Sequence, residues 1–347
     1  MNYNIINTKF KITNYNENST NIINACILDI NTNIKYNITT FLGNGSTGHV
    51  YRLESNNEYY VIKIAIDNNN LLAEINSIRM HFMENNIVHC YYPLTYGIIE
   101  HVNMIGVIYP YLGKYNLENL NYIIDFESNI NIIKQIITQL INLNKSVIHG
   151  DLKPSNVVLN QYNATIIDFG SIKSSKMPIG PIMATNYITS PESLIEYKPE
   201  NNIDYSKHDY FGLFVIVIDL FIKKGYWYII SLYLTKNLKI KNELLYNHEA
   251  SNIFVYTWYK FNPEQELPDI FKKLMNKIGN YFNFSNNANN FYNFSKFFFQ
   301  YIMPYIISGS FNYKKTAEFK DFLNNLIYIN PNNRMTLEKL LEHPFLN

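Results

Sequence analysis

Cysteine is nearly absent: Cys26 and Cys90 are the only two among 347 residues. Two distant cysteines give neither a disulfide framework nor a metal-ligand spacing. Their scarcity suits a reducing, intracellular and cytoplasmic setting (host cytoplasm if the source is a virus). Arginine is almost as rare, with Arg52, Arg79 and Arg334 alone. Charged residues make up 16% of the chain and the formal net charge is +1, so no global basic field points to nucleic acid. The apolar run 210–222, YFGLFVIVIDLFI, is too short to span a bilayer and is interrupted by Asp219. It predicts a buried core helix, and no membrane partner is expected. The opening MNYNIINTKF lacks the basic flank and apolar core of a signal peptide. No internal repeat of useful period is visible.

Apolar residues, by contrast, amount to 47%, enough for a sizeable core in one large domain or two lobes. Asn, Ile, Tyr and Lys abound, as an AT-rich genome would encode. Residues 1–36 alternate apolar and Asn-rich segments and read as an N-terminal extension with short strands. Residues 37–66 read as strand, Gly-rich turn, strand, turn, strand; YVIKIAI is β-branched and apolar. Leu71, Leu72, Ile75, Ile78 and Phe82 have helical spacing over 70–84. MIGVIYPYL returns to strand, and from 117 onward helix dominates, notably over 130–143. Residues 225–320 form an insert biased toward Asn and aromatics. It reads as a surface insertion, with a partner-docking surface as the sharper alternative.

LGNGSTGHV at 42–50 places Gly43, Gly45 and Gly48 between two strands. Glycines let a backbone approach phosphates closely. A Gly-rich hairpin alone can be only a turn, but Lys63 follows 15 residues after the last glycine, on a strand. That pairing suits a cation reaching α- and β-phosphates. No Gly-Lys-Ser/Thr follows, so this is not a Walker loop. An ammonium in an apolar strand wants a carboxylate; Glu74 on the next helix is the expected partner, and Glu84 the alternative.

The stretch 148–160, IHGDLKPSNVVLN, is followed by IDFG. Phosphoryl transfer needs a carboxylate to accept the nucleophile's proton, cations against the developing charge, and oxygen ligands for Mg²⁺. Asp151 fits the first need, Lys153 the second, and Asn156 with Asp168 the third. One Asp and one Asn suit a hard cation that keeps several waters.

These pieces, in order GNGSTGHV, VIK, HGDLKPSN, DFG, SPE, DYFGLF and NPNNRMTLEKLLEHPFL, resemble those of eukaryotic-type Ser/Thr protein kinases over about 37–347. The resemblance implies an α+β, bilobal fold with a strand-rich N-lobe (37–110) and a helical C-lobe (112–347). It implies ATP and Mg²⁺ (or Mn²⁺) in the cleft, and protein substrates with Ser/Thr acceptors. Leu42, Gly43, Gly45, Gly48, Val50, Lys63 and Glu74 would then serve the nucleotide. So would Tyr109 at the gatekeeper position, with Tyr111 and Leu112 in the hinge. DLKPSN is similar to the Ser/Thr form of the catalytic loop, and Thr185 resembles the threonine that braces Asp151 and Lys153. Glu192 and Arg334 would meet under the activation segment. A scarce arginine there suggests bidentate pairing that lysine cannot supply.

Departures from the family pattern are informative. Thr47 stands where an aromatic residue usually caps the Gly loop, Val61 and Ser190 each replace alanine, and Gly150 replaces the arginine that receives an activation-segment phosphate. His-Gly-Asp also occurs in small-molecule kinases of the same fold, which would not be expected to carry SPE or the Arg334 helix. A non-catalytic nucleotide-binding scaffold is the third reading; it needs a missing lysine, aspartate or metal ligand.

Overall fold

The computed structural model describes residues 5–14, 22–45, 47–80, 91, 93–100, 103–120, 124–145, 147–175, 190–194, 204–221, 269, 271–273, 276, 313–328 and 330–347. Most of the 225–320 insert therefore lies outside the described residues. The chain divides into two compact units. One comprises Met1–Gly113 with Ile167–Gly170, and the other Lys114–Ile166 with Ser171–Asn347.

The first unit is strand-rich. Its strands are β1 (Ile6–Thr13), β2 (Cys26–Asp29), β3 (Ile34–Asn44), β4 (Gly48–Ser55), β5 (Glu58–Ala65), β6 (Thr95–Glu100) and β7 (Met104–Pro110). They close into a barrel in the order β1-β2-β3-β4-β5-β7-β6. The N-terminal extension expected over 1–36 contributes β1, β2 and the start of β3. β1 pairs antiparallel with β2 and parallel with β6, from Ile6↔Thr95 to Lys11↔Glu100. Closure gives partners to two rows of backbone groups that would otherwise be sheet edges. It also demands glycine at one point: a Cβ on Gly97 would sit 2.0 Å from the Thr8 carbonyl oxygen.

The alternation of β1 and β2 turns Phe10, Ile12, Ala25 and Ile27 onto Ile38, Leu53, Ile62, Ile64, Ile99 and Ile108. A second cluster joins Ala65, Ile105, Val107 and Tyr109 to Leu71 and Ile75 of helix α1 (Asn68–Ile78). Asp67 caps that helix by accepting the Asn69 N–H at 2.8 Å.

The second unit is built on helices α2 (Phe126–Asn144), α3 (Asp209–Phe221), α4 (Tyr313–Ile327) and α5 (Leu337–Leu341). Short strands β8 (Tyr115–Asn116), β9 (Val147–Ile148), β10 (Val157–Asn160), β11 (Asn163–Ile166) and β12 (Lys173–Ser174) frame its loops. The isoleucine-rich face of α2 is fully buried, and its Gln135 and Gln139 side chains bond the β11 backbone at Ala164 and Ile166. The run expected to be a core helix is α3, buried along nearly its whole length. Among the described residues no helix is long and apolar enough to cross a membrane.

Candidate active site

Two sets of the expected site residues form, one in each unit. In the first, β5 presents Lys63 and α1 presents Glu74. The Lys63 ammonium donates to Glu74 Oε2 at 2.7 Å, and both side chains are buried. Asp168 Oδ1 lies 3.5 Å from the same ammonium. Asp168 has a φ of 65°. That left-handed conformation is one aspartate tolerates better than most residues, and such strain gathers at functional sites. Burial alone would lower the pKa of Lys63, but Asp168 and Glu74 outweigh it and hold the amine protonated. Burial raises that of Glu74, against the pull of Lys63. Glu84, the alternative partner, lies outside the described residues.

Two hydroxyls also hold Glu74. Thr47, where the family usually has an aromatic residue, donates to Oε2 at 3.0 Å. Tyr109 donates to Oε1 at 3.4 Å. Burial, then the Glu74 charge, pushes the Tyr109 phenol well above its ordinary range, so it keeps the proton that it donates to the carboxylate. Its ring stacks on Tyr91 with centroids 5.1 Å apart, and Tyr91 in turn bonds the Pro110 carbonyl at 2.7 Å. The roles of Thr47 and Tyr91 were not legible from residue type, because nothing local marks a threonine or a tyrosine as the partner of a distant glutamate.

The glycines divide by purpose. Gly48 is demanded by close packing, since a Cβ would lie 2.5 Å from the Ile64 carbonyl oxygen. Gly43 faces open space, and a Cβ on Gly45 would come to 3.8 Å from Lys63 Cε. The missing side chain at Gly45 thus leaves room beside the end of the Lys63 side chain. Leu42 is exposed and Val50 half-buried. Val61 packs against the cluster that contains Tyr109. Tyr111 and Leu112 are half-buried, with the Tyr111 N–H on the Tyr59 carbonyl.

In the second unit, β9 delivers the chain into His149-Gly150-Asp151. The Lys153 ammonium lies 2.7 Å from Asp151 Oδ2. The Asn156 amide nitrogen donates to the Asp151 carbonyl at 2.9 Å, which keeps its oxygen as the acceptor. The loop is anchored on α3. Buried Asp209 accepts the His149 N–H at 2.7 Å and the Gly150 N–H at 2.9 Å. Gly212 admits the Leu152 carbonyl, which a Cβ would meet at 2.2 Å. The motif DYFGLF is visible in the sequence, but only the fold shows that its first and fourth residues hold this loop. Thr185 lies outside the described residues.

Arg334 and Glu192 meet as their residue types suggested. Nη1 and Nη2 each donate to one Glu192 oxygen at 2.7 Å, and both side chains are 0% exposed. Nε bonds the Tyr328 carbonyl and Nη1 also bonds that of Lys207.

Gly150 has a φ of +82°, and a Cβ there would lie 2.4 Å from the Ser171 carbonyl oxygen. We expect Gly150→Ala to cost about 1–3 kcal/mol through left-handed strain and displacement of the Ser171 segment. Gly150→Arg should be no better, although it restores the residue usual in the family. Urea denaturation checks both; a variant as stable as wild type would contradict this geometry.

The profile of the family described as "Protein kinase domain" matches residues 36–346. Serine/threonine-protein kinase prpf4B of Dictyostelium discoideum is 25% identical over 214 residues, 58% of this chain and 24% of that protein. From the same organism, "Probable serine/threonine-protein kinase mps1" is 30% identical over 45% of this chain and 17% of that protein. Stress-activated protein kinase JNK of Suberites domuncula is 23% identical over 58% of this chain and 49% of that protein. The chain thus spans half or less of the length of each of these relatives. With the profile running almost end to end, and the lysine–glutamate pair and acidic loops formed, the chain belongs to the protein kinase domain family.

Proposed function

We propose that this chain is an active protein kinase that transfers the γ-phosphate of ATP to serine or threonine hydroxyls of proteins. The observation that carries this reading is the buried Lys63–Glu74 pair with Asp168 beside it. A scaffold that had lost catalysis would be expected to lack one of these groups. Lys63 would hold the α- and β-phosphates, with the bare backbone at Gly43 and Gly45 leaving room for them. Asp151 would orient the acceptor hydroxyl and take its proton, and Lys153 beside it would face the transferring phosphate. The carboxylate of Asp168 and the amide oxygen of Asn156 are hard donors that fit Mg²⁺ or Mn²⁺. When bound, the cation would neutralise charge on the phosphates. The DLKPSN loop favours Ser/Thr over Tyr acceptors, and Thr185 would brace Asp151 and Lys153.

The test is radiolabelled ATP with mixed protein acceptors and phosphoamino-acid analysis. Asp151→Asn should lower kcat by about 10² or more while ATP still binds, as expected for a lost general base. An Asp151→Asn protein with near wild-type transfer would contradict the role of Asp151. Transfer only to small hydroxylated acceptors would favour the small-molecule reading, and no turnover of ATP the scaffold reading.

Gly150 offers no side chain to a phosphate, so activity should not depend strongly on phosphorylation of the activation segment. Alanine at Ser171, Ser174, Ser175 and Thr189, or phosphatase treatment, should change the rate by less than about tenfold. A larger loss would assign the receptor role to another cation, Lys173 or Lys176. Thr189 and Lys176 lie outside the described residues.

A further inference from the structure

Glycine is the most permissive residue, so a glycine directly before the proposed base leaves that base poorly fixed unless outside groups hold the peptide. The two N–H groups flanking the His149–Gly150 bond are held by Asp209. The Gly150 carbonyl lies 3.3 Å from His208 Nε2. On the other edge of the same ring, Nδ1 is 2.7 Å from Ser190 Oγ and 2.8 Å from Ser193 Oγ, and the two hydroxyls are 2.8 Å apart. His208 and Ser190 are both buried. A carbonyl can only accept, so Nε2 carries the proton in this contact. In the neutral ring Nδ1 is then the acceptor for the serine hydroxyls. Each edge of the imidazole thus has a hydrogen-bonding neighbour, with no phosphate involved.

We propose that His208 is a positioning residue for Asp151. It ties the catalytic loop to the Ser190–Ser193 turn, which also carries Glu192. The link rests on the kinase reading above and deepens it. Where the family's arginine would join this loop to a phosphorylated segment, a histidine joins it here to two serines. The serine at 190, noted in the sequence only as a departure from alanine, supplies one of the hydroxyls.

The experiment uses the full chain with casein as acceptor. His208→Phe keeps the bulk and drops both contacts; His208→Gln keeps one donor and one acceptor on a planar group. For His208→Phe we expect kcat to fall about tenfold with the KM for ATP changed less than about twofold. Amide exchange at 149–151 should quicken, and His208→Gln should recover most of both losses. A folded His208→Phe protein with wild-type kcat and exchange would overturn the proposal. So would a folded His208→Gln protein no better than His208→Phe. If His208→Phe does not fold, the Ser190→Ala/Ser193→Ala pair decides, since unchanged exchange at 149–151 in that protein overturns the link. A wild-type chain without phosphotransfer would sink the kinase reading alone, because the exchange comparison needs no turnover.

Discussion

A chain starting at Ile34, shorn of β1 and β2, is expected to lose its cooperative melting transition or to accumulate as insoluble protein. The family profile begins at residue 36, so the truncation keeps almost everything that resemblance would count as the domain. The packing argues otherwise. Phe10 and Ile27 are fully buried and Ile12 nearly so, all against side chains of β3 to β7. Burial of such side chains contributes roughly 1.5–3 kcal/mol each. For Phe10, Ile12 and Ile27 together that is comparable with the ~5–15 kcal/mol that holds a whole domain folded. Truncation would also wet Ile38, Leu53 and Ile99 and unpair the edges of β3 and β6. Circular dichroism melting of the two chains checks this. A truncated chain that melts at the full chain's temperature would show that the barrel closure contributes nothing to stability.

Breaking the Arg334–Glu192 pair from one side should cost about 3–5 kcal/mol, because the remaining charge is left buried and unpaired. Both side chains are 0% exposed, so water cannot take the missing partner's place without opening the structure. Glu192→Gln leaves the guanidinium with two carbonyl acceptors, Tyr328 and Lys207, but no counter-charge. Arg334→Lys keeps the charge yet cannot make two parallel bonds to the carboxylate, nor reach both carbonyls at once. It should therefore also destabilise and slow phosphorylation of a protein acceptor, with less effect on ATP affinity. Urea denaturation of wild type, Arg334→Lys, Glu192→Gln and the double variant completes the cycle. The double variant should lose less than the two single losses added together. Strict additivity would mean that the pair does not interact in solution.

The residue types and their spacing already pointed to the chemistry proposed above. Lys63, Asp151, Asn156 and Asp168 could be named as candidates because phosphoryl transfer accepts few residue types, here one on an apolar strand and three in or beside two acidic loops. The expected strands over 37–66 and 104–112 and the helix over 130–143 were legible from periodicity, a local property, and the helix at 210–222 from its apolar run; of the helix expected over 70–84, Asn68–Ile78 forms and 81–84, with Phe82, lie outside the described residues. Glu74 was legible as the carboxylate an apolar-strand lysine requires. The arginine at 334 was legible from scarcity, since lysine would otherwise supply the charge.

The remaining features depend on contacts between residues distant in sequence. The pattern of residues 1–36 suggested strands, but not that one would lie parallel to β6 and close a barrel. That choice rests on Gly97 admitting the Thr8 backbone, and an isolated glycine in a strand does not say what approaches it. Thr47 and Tyr109 became partners of Glu74 only because folding brings the turn before β4, strand β7 and α1 around one carboxylate. His208 precedes an apolar run, and nothing local marks it as a link between segments. Its ring carries a nitrogen on each of two edges, and which groups face each edge is set by the packing of α3, the 149–151 loop and the Ser190–Ser193 turn.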